Sequence, residues 1–213
     1  MRMRKKPNLV PRMERCAEYL IPQPEELKGR WFEEYPEYKE IRLELGCGKG
    51  RFTCGQAERE PEVLLLALER VEDAMVVAME RAKEQEIPNV RFLDKDAAFL
   101  PDFFAPGEIS RIYINFPDPW RKTRQYKRRL TAPSFLQSYA ALLPEGGEVW
   151  FKTDNEPLFQ WSLESFQSEG WTVRDMPEGT PLTDYEAKFM EQGLPIHRIC
   201  AAPPKSKPVE ENA

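Results

Sequence analysis

Ile41-Arg42-Leu43-Glu44-Leu45, running at once into Gly46-Cys47-Gly48-Lys49-Gly50, is the stretch on which the fold turns. A short run of branched residues that breaks into glycines and then into a helical period reads as strand, tight turn and helix. The same alternation recurs outward from it. Val63 to Glu69, Val90 to Leu93, Arg111 to Asn115 and Glu148 to Lys152 read as further strands, with Trp171 to Arg174 and Ile196 to Ala201 as the last two. Helical segments fall between them. One follows the glycines, and one carries Ala74, Val77, Ala78, Arg81 and Ala82 and ends at Pro88-Asn89. Two more run from Pro133 to Leu143 and from Glu156 to Glu169, the latter stopped by Gly170. The expectation is an α/β fold, a mostly parallel seven-stranded sheet with helices on both faces. Such sheets bind ligands beyond the carboxyl ends of their strands, which is where chemistry is expected.

Composition bounds the rest. The chain has 213 residues, 41% hydrophobic and 31% charged, which fits one domain: residues 9–203, with a basic arm at 1–8 and a disordered tail at 204–213. The longest apolar run, Val63 to Leu68, is too short to span a bilayer, and no hydrophobic stretch follows the opening MRMRKKP. A cytoplasmic protein without a membrane partner is expected. Its 4 cysteines form no CxxC pair and its single histidine is His197, so no Cys/His zinc cluster can be assembled and no metal is expected. His197 reads as a strand residue. A net charge of -5 argues against indiscriminate binding to nucleic acid, so local patches must carry any such role.

The glycine loop decides the cofactor. A dinucleotide fingerprint needs glycine three residues after Gly48, where this chain has Arg51, and a phosphate loop needs Ser or Thr after Lys49, where it has Gly50. Neither phosphate motif fits. Glu44 places a carboxylate beside the loop, which repels a pyrophosphate and suits the cationic end of S-adenosylmethionine, while Gly46, Gly48 and Gly50 let the backbone approach such a ligand. Glu69, about twenty residues on, is placed to accept from ribose hydroxyls. Asp96, with Asp94 as competitor, follows the third strand and is suited to the adenine amine. Glu44, the glycines, Glu69 and Asp96 thus outline a methyl-donor pocket.

The fourth strand ends in Asn115-Phe116-Pro117-Asp118-Pro119-Trp120, in which two prolines restrict the backbone on both sides of one carboxylate. Held at the ligand edge, Asp118 can accept from the ring NH and exocyclic amine of guanine, with Trp120 available to stack or to pack. Arg121 to Arg129 follows, with six basic residues and no acidic one, a phosphate-binding strip that implies a polynucleotide substrate. Arg2, Arg4, Lys5 and Lys6 form a second basic group.

The chain resembles the bacterial tRNA (guanine-N7-)-methyltransferases over essentially its whole length. The resemblance is carried by MRMRKKP, ELGCGKG, the strand ending in Glu69, DKDA around Asp96, INFPDPW, KRRL, FKTDN and TDYEAKF. It implies a Rossmann-like class I methyltransferase fold and transfer of a methyl group from S-adenosylmethionine to N7 of guanine 46 in the variable loop of tRNA. By resemblance Glu44, Glu69 and Asp96 bind the donor and Asp118 is the catalytic position. Lys122, Asp154 and the Thr183 to Glu186 segment contact the substrate, and the loop holding Arg124, Lys127, Arg128 and Arg129 meets the RNA. Without it, Thr183 and Glu186 read only as a capping Thr with an acid three residues on, opening a helix through Met190, and Asp154 as a helix cap. Where the family usually reads PDPWPKKRH, this chain has Arg121 for the second proline and Gln125 for the histidine, so a less stiff, slightly more basic loop is expected. Methyl transfer to an exocyclic base amine, or a non-catalytic RNA-binding module, stays open from the residues alone, as does the choice between monomer and homodimer.

Overall fold

The computed structural model describes residues 8–205; the basic group at Arg2 to Lys6 and most of the tail lie outside the described residues. In chain order the elements are α1 (Leu9–Glu14), α2 (Trp31–Glu34), β1 (Glu40–Leu45), α3 (Arg51–Arg59), β2 (Val63–Leu68), α4 (Glu72–Glu84), β3 (Val90–Leu93), α5 (Leu100–Phe103), β4 (Arg111–Asn115), α6 (Pro133–Leu142), β5 (Glu148–Thr153), α7 (Glu156–Ser168), β6 (Thr172–Asp175), α8 (Asp184–Glu191) and β7 (His197–Ala202). All seven expected strands are present. They form one sheet in the order β3-β2-β1-β4-β5-β7-β6, parallel from β3 to β5, with β7 antiparallel to both β5 and β6.

Burial explains why the central strands read so clearly. All six residues of β2 are buried, as a strand covered by helices on both faces requires. One face of the sheet packs Leu43, Leu66, Ile112 and Phe151 into a core with α5, α6 and α7. The other packs Leu65, Ala67 and Tyr113 against Phe52 of α3 and Met75 and Met79 of α4. β6 lies at the edge, with three of its four residues exposed.

Strand order reverses between β1 and β4, because β1 leads outward to β2 and β3 while β4 continues on the other side. Crevices open at such a reversal, so the carboxyl ends of β1 and β4 frame the site. The segment before β1 closes the opposite edge, where Ile21 donates its backbone N–H to Phe92 O at 2.9 Å beside a parallel bridge between Leu20 and Phe92.

Candidate active site

A cleft of about 720 Å³ opens at the carboxyl ends of β1, β2 and β4. Gly46, Glu69, Asp96, Asp118 and Trp120 line it, and Lys127 and Arg128 form part of its wall. Residues read separately along the sequence are therefore brought to one cavity.

Glu69 follows directly on β2, one residue beyond its end. Its Oε2 accepts from Gly48 N and its Oε1 from Val71 N, both at 2.9 Å, so the carboxylate ties the glycine loop to the start of α4. Each oxygen keeps a second acceptor site. Asp96 lines the cleft and Asp94 does not. Partial burial works against the Asp96 carboxylate, yet the Ala98 N–H and the Arg70 guanidinium outweigh it and hold its pKa below the usual value.

Gly46 lines the cleft as expected, whereas Gly48, Gly50 and Glu44 do not, Gly48 giving its N–H to Glu69 instead. Gly50 packs rather than lines: it starts α3 at φ 75°, and a Cβ there would lie 2.7 Å from the Cβ of Ala78, so it sets the approach of α3 to α4. Glu44 lies under the loop, 1% exposed, and is not on the cleft wall. Its Oε2 accepts from Thr53 Oγ1 at 2.5 Å and its Oε1 from Asn115 Nδ2 at 3.0 Å. Burial raises its pKa to about 7 against the pull of those two donors. Glu44 thus connects β1, α3 and the end of β4, and its reach to a ligand runs through Asn115, which does line the cleft.

The loop after β4 is held in an uncommon backbone. Phe116 and Trp120 have φ of 52° and 41°, left-handed values at bulky residues on either side of the Pro117-Asp118-Pro119 segment. Asp118 between them is exposed. The Phe116 N–H donates to Lys152 O at 2.8 Å, and the Phe116 ring stacks on Tyr185 and Phe189, each with centroids 6.3 Å away. Tyr185 and Phe189 are four residues apart on one face of α8. That spacing was the signal available in the sequence for docking of α8 onto the loop, and it went unread.

The basic strip is wound rather than a loose loop, since residues 123–128 form a 3-10 helix. Lys122, Arg124, Lys127 and Arg128 are exposed, and Arg128 lies over the Trp120 ring at 5.1 Å. Arg129 departs from the expected RNA contact: it is 4% exposed and turned inward, beneath the strip.

Thr183 and Glu186 form the capping box that their spacing predicts, with Glu186 N donating to Thr183 Oγ1 at 2.9 Å. The Glu186 carboxylate is also turned inward, contrary to its expected place in the substrate pocket. It is 1% exposed and pairs with Lys152 Nζ at 3.2 Å and with Arg198 at 3.3 Å, anchoring α8 on the ends of β5 and β7. Burial depresses the Lys152 pKa, and the Glu186 pairing offsets this only in part. Asp154 is exposed and does not cap α7, since Asn155 takes that place by accepting from Leu158 N at 2.9 Å. His197 stacks on Phe159 at 4.8 Å, a strand residue as expected. Among the described residues, no group of His, Cys, Asp and Glu is placed to hold a metal ion, and no helix is long and apolar enough to cross a membrane.

The family described as "Putative methyltransferase" matches residues 38–199. A tRNA (guanine-N(7)-)-methyltransferase of Listeria innocua is 42% identical over 207 residues, covering 93% of this chain and 97% of that protein. One from Halalkalibacterium halodurans is 42% identical over 206 residues, covering 93% and 94%. Among solved structures, the 16S rRNA methyltransferase KamB superposes with a TM-score of 0.61 at 16% identity, over 83% of this chain and 94% of that one. TrmN from Thermus thermophilus gives 0.53 at 24%, over 77% and 43%. These two share the fold, an α/β methyltransferase sheet. With a matched model over most of its length and relatives of this identity, the chain belongs to the bacterial tRNA (guanine-N(7)-)-methyltransferase family.

Proposed function

We propose that the protein transfers a methyl group from S-adenosylmethionine to N7 of guanine 46 in tRNA, in the cytoplasm, using Asp118 to hold the base. The observation that carries this reading is the single cleft in which the carboxylates of Glu69 and Asp96, the Asp118 loop and the cations Lys127 and Arg128 face one another. The donor set fits a nucleoside without phosphates: acceptors on one wall, where Arg70 is taken up by Asp96, backbone at Gly46, and Lys127 and Arg128 on the wall toward the strip. Glu69 would hold the ribose and Asp96 the adenine amine, with Glu44 and Gly48 supporting them from beneath. When bound, S-adenosylmethionine supplies an electrophilic methyl group.

Guanine N7 presents a lone pair in the neutral base, so alignment matters more than proton removal and no general base is required. Asp118 accepts from guanine N1–H and the 2-amino group. As the ring becomes cationic, the fixed carboxylate gains interaction energy, which is transition-state stabilisation of the electrostatic kind. Lys122, Asp154 and Thr183, outside the cleft wall, are assigned to the tRNA beyond the target base, and Arg124, Lys127 and Arg128 to the phosphate contacts of the RNA. The test is incubation with methyl-labelled donor and unmodified tRNA, followed by mapping of the modified nucleoside. Label in 7-methylguanosine at position 46 is expected. Label on an exocyclic amine, or none, would overturn the reading.

A further inference from the structure

Arg129 has the chemistry of an RNA ligand and the burial of a core residue. Its guanidinium carbon lies 3.6 Å from the Tyr126 ring centroid and 4.5 Å from that of Trp161, a cation set in the corner of two rings that meet edge-on at 61°. From there Nε donates to Pro119 O at 3.0 Å and Nη2 reaches Trp120 O at 3.5 Å. Nη1 is buried with no partner among the described residues. A solvated phosphate contact would not be built this way, since the charge is desolvated and faces the protein.

What Arg129 grips matters. Pro117 and Pro119 have no N–H, so the segment holding Asp118 cannot close a backbone ladder of its own. Both of its flanks, Phe116 and Trp120, sit at positive φ, which persists only where surroundings over-determine it. On the Phe116 side the anchors are Lys152 O and the rings of α8. On the Trp120 side the carbonyls of Pro119 and Trp120 are gripped by Arg129. Its own position is fixed from α7: Trp161 packs on the guanidinium, and two residues later in the chain Thr131 bonds Ser162 Oγ at 2.7 Å and accepts from Ser165 Oγ at 2.6 Å.

We propose that Arg129 is a positioning residue that fixes the Asp118 carboxylate by clamping the carbonyls of Pro119 and Trp120, and that it makes no contact with RNA. The proposal rests on the reading of Asp118 as the group that holds guanine. A fork of donors fits two successive carbonyls, and an ammonium reaches one. A clamp therefore separates Arg from Lys, whereas a phosphate contact tolerates the exchange because Lys serves as a point charge.

The test compares wild type, Arg129→Lys and Arg129→Met, the last keeping an apolar stem between Tyr126 and Trp161. Donor affinity comes from calorimetric titration, tRNA affinity from filter binding across salt, and chemistry from single turnovers at saturating donor and tRNA. Arg129→Met is expected to lose about tenfold or more in single-turnover rate, because small misplacements of an aligning group carry large rate losses. Its donor affinity and its salt slope should match wild type. Arg129→Lys, with charge intact, should fall between the two in rate, and it carries the test alone if the Met variant does not fold. A wild-type rate in Arg129→Lys, or a salt slope reduced by nearly one unit in Arg129→Met, would overturn the clamp. Failure of the underlying reading looks different: Asp118→Ala would then turn over normally, whatever Arg129 does.

Discussion

The two ends of the sheet handle buried charge in opposite ways. At the amino ends of the strands, Arg42 is 7% exposed and its guanidinium is fully engaged: Nη1 donates to Glu60 at 2.6 Å and to Tyr113 Oη at 3.2 Å, and Nη2 to Glu40 at 2.9 Å. Nearby, Asn89 Nδ2 donates to the carbonyls of Ala57, Glu60 and Val63. At the carboxyl ends, Glu44 is buried with a raised pKa, Lys152 with a lowered one, Arg129 keeps a nitrogen without a partner among the described residues, and two bulky residues hold positive φ. The amino end pairs the charged and amide groups around Arg42 and Asn89, with Arg111 Nε as the exception among the described residues, and closes α3 onto the sheet. The other keeps strain and incompletely compensated buried charge packed behind the cleft.

The largest expected effect breaks this contrast at the carboxyl end. Asp118→Ala should lose about a hundredfold or more in single-turnover rate, the scale seen when one transition-state electrostatic partner is removed. Asp118→Asn, which keeps one acceptor, should lose less. Because Asp118 is exposed, thermal stability and donor affinity should stay near wild type. Near-normal turnover by Asp118→Ala would remove its assigned role, and methylation of a tRNA carrying 7-deazaguanine at the target would remove N7.

The amino end should answer the other way. Arg42→Met leaves Glu40 and Glu60 without their shared cation. It should lower unfolding stability by about 2 kcal/mol, less than for a fully buried pair because both carboxylates are partly exposed. Denaturant melts measure this directly. Its single-turnover rate, corrected for folded fraction, should be unchanged; a rate loss matching that of Asp118→Ala would mean that the two ends are coupled through β1 and β4.

How much of this was legible follows the same division. The strands were readable because β1, β2 and β4 are buried runs between glycines and prolines, and Thr183 with Glu186 announced its capping box by spacing alone. The short helices α1, α2 and α5 were not read, because elements of four to six residues form only where tertiary contacts hold them. Residue type located Glu44, Arg129 and Glu186 correctly at the functional end but misjudged their direction. A carboxylate or guanidinium in sequence has no sign for inward or outward, and the partners that turn these three inward, such as Trp161 for Arg129 and Lys152 for Glu186, lie 32 and 34 positions away. The place of Asp118 on the cleft wall, by contrast, was readable because two adjacent prolines act locally.

A smaller effect sharpens the boundary between strip and clamp. Replacing Arg124, Lys127 and Arg128 by Ala should weaken tRNA binding and flatten its salt dependence, each lost phosphate contact reducing the log-log slope by somewhat under about one unit. Between about 50 and 150 mM salt, wild type should therefore lose about twentyfold more affinity than the triple variant. Donor affinity should change less, although Lys127 and Arg128 border the cleft. An unchanged slope would make the strip a solvated surface.

The smallest expected effect lies in Glu44. Its folded pKa of about 7 is above the model-peptide range because burial penalises the charge more than Thr53 and Asn115 reward it. Below about pH 4 the carboxyl is protonated in both folded and unfolded chains and contributes no difference. As pH rises from there toward 7, the unfolded chain releases its proton while the folded chain retains it, so folded stability falls across that window and levels off above it. Glu44→Gln keeps an acceptor for Thr53 Oγ1 or Asn115 Nδ2 and removes the titration. The stability difference between wild type and Glu44→Gln should therefore move in favour of the variant between pH 5 and pH 8, because the unfolded group is already ionised there while the folded group ionises only near pH 7. Urea midpoints at the two pH values, in donor-free protein, measure it. A difference that does not change with pH would mean that Glu44 is ionised throughout in the folded chain, and that the carboxyl end of β1 is as fully compensated as the amino end.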